Sequence, residues 1–266
     1  MKKKTVVTEK MRQTIRKVAM QAGRIQMKGL GKRHKIHFKG EINLVTEVDF
    51  ACEKAILKEI HKNFPEHAIL AEESGQSANR SDYCWVIDPL DGTTNFAHAY
   101  PLFCISVALA YRGEPVLGVV YEPNLGEFFF AEKGKGSFLN GRRIHVSDTT
   151  LLKRSLLSTG FAYNIGETYK RSLAQFEGFL VSSQAIRRDG VAAVDLAYVA
   201  AGRFDGFWEI NLWPWDVAAG LLLVKEAGGQ VTLFNGKPFA IEDKEILASN
   251  GRIHPDMVKV LHGAGS

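Results

Sequence analysis

The chain has 266 residues, 45% of them apolar and 24% charged, with a formal net charge of +5. That balance excludes a disordered or fibrous chain and leaves room for a substantial core. No stretch approaches the ~18 apolar residues of a spanning helix. The N-terminal lysines are not followed by an apolar segment, so no signal peptide is expected. Cys52, Cys84 and Cys104 lack metal-ligand spacing, which points to reduced thiols in a cytoplasm. Basic residues are dispersed, with the densest clusters at Lys2-Lys3-Lys4 and Lys32-Arg33-His34-Lys35. Such an excess suits an anionic small substrate or weak nucleic-acid contact and decides neither.

In chain order, residues 8–30 predict an amphipathic helix, with Met11, Ile15, Val18, Ala22 and Ile25 on one face and Thr8 as its cap. Asn43 to Asp49 lead into a second helix, with Asp49 at the cap position. Capping alone would explain that aspartate. After Pro65, Ala68 to Ala71 form a short strand ending at Glu72-Glu73-Ser74-Gly75. Two adjacent acids read equally as a solvated strand end or as ligands.

The run Trp85-Val86-Ile87 is a buried strand that delivers Asp88-Pro89-Leu90-Asp91-Gly92-Thr93-Thr94 at its C-terminal end. Pro89 is expected to end the strand, and Gly92 to permit close backbone approach. Two acids beside outward backbone N–H groups can hold a metal ion and a phosphate together. The bland alternative is an Asp-rich turn.

Residues 103–111, 116–121 and 127–131 continue as strands, and Asn140-Gly141 marks a hairpin. The N-terminal half thus reads as two helices on an antiparallel sheet. The second half changes rhythm: strand 155–160, helix 168–182, small-residue helix 191–202, strand 204–210. A helix then opens at Trp213-Pro214-Trp215-Asp216 and runs to Gly228-Gly229. Strands at 230–234 and 245–248 and a helix at 254–261 close the chain. That alternation suits a more parallel sheet. Two halves are expected, 1–150 carrying the main metal site and 151–266 completing it, with no linker between them.

One half offers Asp49, Glu72, Asp88 and Asp91, and the other Glu209 and Asp216, all oxygen donors at element ends. Asp216 reads equally well as a helix cap. The eight histidines are scattered, and His98 is expected in a loop or packing role. Oxygen-only donors favour Mg²⁺, Mn²⁺ or Ca²⁺ over zinc. No P-loop, Gly-x-Ser-x-Gly elbow or Gly-x-Gly-x-x-Gly is present.

Asp88-Pro89-Leu90-Asp91-Gly92-Thr93, Trp215-Asp216 before an Ala/Gly helix, and Glu72-Glu73-Ser74 together resemble the inositol monophosphatase family, Mg²⁺-dependent and lithium-sensitive phosphomonoesterases. The segment from Val194 to Glu209 also resembles bacterial members. The likeness spans about residues 8–262 and implies an α/β fold, a layered α-β-α-β-α sandwich with an N-terminal antiparallel sheet and a C-terminal mixed sheet. It implies two or three Mg²⁺ ions, with Mn²⁺ a possible substitute. The first would be held by Glu72, Asp88 and the Leu90 carbonyl, the second by Asp88, Asp91 and Asp216, and a third near Glu72.

The likeness further implies that Thr93 and Asp49 orient and deprotonate the attacking water. The Gly92 and Thr93 N–H groups would hold the phosphate, Glu209 would bond substrate hydroxyls, and Ala192 would contribute backbone contacts. Two departures bear on substrate. Val191 stands where relatives often carry Ser or Thr, and the family lysine maps only to the region of Lys39. Arg187 and Arg188 read as contacts to a second phosphate or as surface or dimer residues. The expectation is a cytoplasmic homodimer hydrolysing a polyol or sugar phosphate, inositol 1-phosphate first. Fructose 1,6-bisphosphate, histidinol phosphate and nucleotides are the alternatives, with neither membrane nor nucleic acid as partner. The reading from another class is an RNA- or protein-binding regulator with a vestigial site.

Overall fold

The computed structural model describes residues 6–32, 34, 36–38, 44–161, 166 and 168–263. Helix α1 (Glu9–Gly29) starts where the Thr8 hydroxyl accepts the Met11 N–H. Helix α2 (Glu47–Asn63) follows the small hairpin β1 (Ile36–Phe38) and β2 (Leu44–Thr46). Next come β3 (Ala68–Ala71), β4 (Gly75–Gln76), β5 (Tyr83–Asp91), the short α3 (Thr93–Ala97), β6 (Cys104–Tyr111), β7 (Glu114–Glu122), β8 (Glu127–Glu132), β9 (Gly136–Leu139) and β10 (Arg142–Ile144). These last strands form one eight-stranded sheet in the order β10-β9-β8-β7-β6-β5-β3-β4. It is antiparallel except for β3 against β5, which run parallel with Ala71 beside Ile87.

The second half contributes β11 (Leu156–Thr159), α4 (Tyr169–Ser182), β12 (Ala185–Arg187), α5 (Ala192–Ala200), β13 (Gly206–Ile210), α6 (Pro214–Glu226), β14 (Gln230–Thr232), β15 (Glu245–Ser249) and α7 (His254–Gly263). Its five-stranded sheet has the order β12-β11-β13-β15-β14. The first two pairings are parallel and the last two antiparallel, so the sheet is mixed as expected.

Alternation along β5 explains the layering. Trp85 and Ile87 point to one face and pack with Ile15, Val18, Cys52 and Ile56 of α1 and α2. Val86 points to the other and joins Ala108, Val120 and Phe129 against α5, α6 and the inner face of the second sheet. A third cluster, with Phe179, Trp208, Leu247 and Met257, places α4 and α7 on the outer face. The result is the α-β-α-β-α sandwich. Helix α6 lies so close to β7 that a Cβ on Gly118 would come within 3.0 Å of the Ala219 carbonyl. Fully burying a side chain such as Phe129 or Leu223 is worth about 1.5–3 kcal/mol, so this shared middle layer dominates cohesion.

The structure corrects two local expectations. Pro89 does not end its strand: β5 runs on to Asp91, and the register to β6 shifts between Asp88 and Asp91. A proline has no ladder N–H to give, so it falls at the bulge. Asp49 and Asp216 are not the caps themselves. The N-cap residues are Thr46 and Trp213, and each aspartate sits three residues further on, accepting its cap's backbone N–H. Beyond those corrections, β1 and β12, of three residues each, were not expected and are too short for a periodic signal.

Candidate active site

The parallel pairing of β3 with β5 brings Glu72 beside Asp88, and the Glu72 N–H donates to the Ile87 carbonyl at 3.1 Å. From α2, buried Glu53 accepts the Glu73 N–H at 3.0 Å and so holds the acidic turn in place. In the β5 bulge, Asp88 Oδ1 accepts the Leu90 N–H at 2.9 Å, which turns the chain toward Asp91. Asp91 Oδ2 accepts the Ala193 N–H at 2.8 Å, tying the first half's acid to the first turn of α5. Gly92 has φ +91°, and a Cβ there would also come within 2.8 Å of Val191, so this position requires glycine.

The Thr93 hydroxyl lies 3.0 Å from both Asp49 Oδ1 and the Leu90 carbonyl oxygen, and donates to one of them at a time. The other Asp49 oxygen accepts the Thr46 N–H at 2.9 Å and the Thr46 hydroxyl at 2.6 Å. Asp49 therefore completes a helix cap with one oxygen and faces Thr93 with the other. Across the cleft, Asp216 Oδ2 accepts the Trp213 N–H at 2.7 Å, and Ser106 of β6 pins the same turn through the Trp215 carbonyl at 3.0 Å. Glu209, at 9% exposure, packs directly over Gly160, where any Cβ would overlap its carboxylate.

Burial, and then the charges of Glu72, Asp91 and Asp216, push the Asp88 carboxyl well above the usual carboxylate range. Burial raises Asp91 to about 7 against the hydrogen bonds from Ala193 and Gly92, and Glu72 adds to the rise. Asp216 moves up by burial and then by the charges of Asp91, Glu72 and Glu209, partly offset by the Trp213 N–H. Glu209 reaches about 8 through burial and Asp91, with Arg188 opposing. Asp49 is also raised by burial. No lysine or arginine among the described residues pairs with Asp88, Asp91 or Asp216.

Among the described residues no three acids close into a ready-made ligand cage. They are nonetheless near enough to raise one another's proton affinity, and mutual repulsion opposes any closer approach. A hard divalent cation fits this donor set, because it supplies the positive charge that the protein withholds.

Hydrogen bonds tie Asp49, Leu90 and Thr93 together, and Asp88 and Asp91 to the same turn, with Asp216 held at the start of α6. The N–H that Asp91 accepts belongs to Ala193, next to Ala192. Lys39 lies outside the described residues. His98 is the exposed C-cap of α3 and takes no part. Sequence reasoning missed Thr46, Glu53, Ser106 and Gly160. A Thr-x-x-Asp capping pattern at 46–49 was the one available signal.

Opposed acids at strand and helix ends, with a hydroxyl held on a buried carboxylate, are the donor types that metal-assisted hydrolysis uses. Residues 7–266 match the inositol monophosphatase family, and the chain belongs to that family of phosphomonoesterases. An Arabidopsis thaliana relative named phosphatase IMPL1, chloroplastic, is 45% identical over 88% of this chain; the match spans 65% of that protein, so the chain covers just under two thirds of its length. A Synechocystis inositol-1-monophosphatase is 47% identical over 87% of this chain and 81% of its own. The crystal structure of extragenic suppressor protein suhB from Bartonella henselae superposes with a TM-score of 0.90 at 40% identity, covering 94% of this chain and 97% of that one. Two further relatives bear on function. A Pseudomonas aeruginosa protein named Nus factor SuhB is 46% identical over 81% of each chain. An Aquifex aeolicus fructose-1,6-bisphosphatase/inositol-1-monophosphatase is 39% identical over 91% of each.

Proposed function

We propose that this protein hydrolyses a phosphate monoester of a polyol or sugar, with inositol 1-phosphate the first candidate, using Mg²⁺ held by Glu72, Asp88, the Leu90 carbonyl, Asp91 and Asp216. The observation that carries the reading is that acids from the ends of β3 and β5 and the start of α6 lie near enough to raise one another's proton affinity, beside the Thr93–Asp49 pair. When bound, the ions would neutralise the phosphate dianion and make a hydroxide available at neutral pH.

The remaining work belongs to the chain. Thr93, aligned on Asp49, orients the incoming water, and Asp49 accepts the proton passed through that hydroxyl. The Gly92 and Thr93 N–H groups bind phosphate oxygens. Glu209, whose carboxyl burial raises to about 8, bonds substrate hydroxyls. Phosphoryl transfer asks mainly for positioning and charge stabilisation of this kind. A homodimer in the cytoplasm completes the proposal.

The test is phosphate release from inositol 1-phosphate, fructose 1,6-bisphosphate, histidinol phosphate, NADP and 3′-phosphoadenosine 5′-phosphate, each with Mg²⁺, with EDTA, and with Mg²⁺ plus Li⁺. Release that needs Mg²⁺ and falls with Li⁺ is expected, and equal release in EDTA would sink the metal assignment.

A second reading, a binding role beside catalysis, is supported by the α1–α2 groove. Arg24 and Lys28 line one wall and Lys58 the other, and none of the three has an ion-pair partner among the described residues. Retention on RNA that falls steeply with salt would favour it.

A further inference from the structure

A lip beside the carboxylates carries a positive charge that the proposed hydrolysis does not use. Lys244, just before β15, has its Nζ 3.5 Å from the centroid of the Trp213 ring and donates to the Leu212 carbonyl at 3.3 Å. Its own carbonyl accepts the Asn211 N–H at 2.6 Å, which holds Asn211 in the left-handed region at φ +63°. Such a conformation is uncommon for a residue other than glycine, and it fixes the chain between Glu209 and Trp213.

Trp213 is 54% exposed and stacks on Trp215 with centroids 5.3 Å apart and planes 10° from parallel. The Trp213 N–H is also the donor to Asp216, so the platform that carries Lys244 is bonded to a site carboxylate. Partial burial lowers the Lys244 pKa, and the Asp216 charge works against that.

A ring and a carbonyl orient an ammonium without neutralising it. The acids nearest in sequence are committed elsewhere: Asp243 accepts the Ala240 N–H at 2.8 Å, and Glu245 pairs with Arg171 at 2.7 Å. Several cations of the described surface have carboxylate partners, as Arg12 has Glu132, Lys17 has Glu59 and Lys259 has Asp256. Lys244 forms no such pair among the described residues.

We infer that Lys244, seated on the exposed Trp213 ring, binds a second phosphate carried on the leaving alcohol, so that the site accepts sugar bisphosphates beside monophosphates. Glu209, proposed to bond the leaving alcohol, lies on the same segment as Trp213, which is held to Lys244 through Asn211 and to Asp216 through the Trp213 N–H. The far end of a bisphosphate then meets an oriented, partly desolvated ammonium. This inference rests on the phosphomonoesterase reading and refines its substrate.

The test compares fructose 1,6-bisphosphate with inositol 1-phosphate in Lys244→Met, Lys244→Arg and Trp213→Leu. Lys244→Met keeps the stem and removes the charge. It is expected to cut kcat/KM for the bisphosphate about ten-fold or more, chiefly through KM, and to change that for inositol 1-phosphate by less than about two-fold. Lys244→Arg should restore most of the loss, and Trp213→Leu should act in the same direction as Lys244→Met. Calorimetric binding with Ca²⁺ in place of Mg²⁺ reads the same difference without turnover. Equal losses on both substrates, or an unchanged bisphosphate constant, overturn the inference alone. If the unmodified chain releases phosphate from no ester in the panel, the phosphatase reading falls instead. Calorimetry then still decides whether Lys244 holds the bisphosphate.

Discussion

Asp88 is buried in the cleft, at 2% exposure, with one oxygen on the Leu90 N–H and three other carboxylates raising its proton affinity. Its ionised form is unfavourable for folding and, in the proposed chemistry, indispensable for holding cations. Asp88→Asn preserves the acceptor for Leu90 and removes the charge. We expect phosphate release to fall by at least about three orders of magnitude. The urea midpoint in EDTA should stay unchanged or rise, since a repelling buried charge has gone. A variant with near-normal turnover would refute the ligand assignment, and a lower midpoint would refute the electrostatic argument.

At the scale of elements, helices α2 and α6 begin with the same device. An aspartate three residues past the cap accepts the cap's N–H, so its carboxylate is fixed at the helix end. In α2 the cap and the proposed chemistry use different oxygens of Asp49 and can be separated. Thr46→Ala removes the hydroxyl that accepts the Val48 N–H at 3.1 Å and should cost about 1 kcal/mol by denaturant titration. Asp49→Asn keeps an acceptor for the cap and should change stability less than that. It should lower kcat about a hundred-fold or more, because an amide cannot take the proton passed by Thr93. If Asp49→Asn retains its rate, Asp49 is a helix cap alone.

For the whole molecule, α5 and α6 form the layer that both sheets share, and their first turns hold Asp91 and Asp216. Their raised proton affinities couple stability to pH. Asp91 moves from 3.8 to about 7 and Glu209 from 4.5 to about 8, so the folded state binds more protons than the unfolded state across that window. The stability these groups contribute is fully present below about pH 4 and is lost as pH rises through 7–8. A cation among the acids reverses the loss. Mg²⁺ at about 100 times its dissociation constant is worth about 2.7 kcal/mol, or roughly 5–10 °C in Tm for a chain of this size. The rise should be large at pH 8 and near zero at pH 5, as measured by thermal denaturation with Mg²⁺ against EDTA. An equal rise at both pH values would mean that the cation binds away from these carboxylates.

Chemistry concentrated in a few adjacent residues was legible in the chain. Asp88-Pro89-Leu90-Asp91-Gly92-Thr93 announces a strand end with acids, a close approach and free N–H groups, and each of those features comes from its own residue type. The alternation of Trp85, Val86 and Ile87 likewise separates the two faces of the sheet before any partner is known. Whether Asp49 served a cap or a site stayed open in the sequence, because a carboxylate has two oxygens and only the fold decides what each one meets. The bulge at Pro89 depends on the register of β6, and the Ala193 N–H reaches Asp91 across about a hundred residues of chain. Lys244 and Trp213 meet in the same way, through packing between segments that local patterning cannot relate. Sequence by itself determined the elements, their buried faces and the type of donor, since these follow from residue chemistry and short-range periodicity. Tertiary structure alone decided which donors converge, which are already satisfied and which charge is left over, because those depend on distances between parts of the chain that only folding brings together.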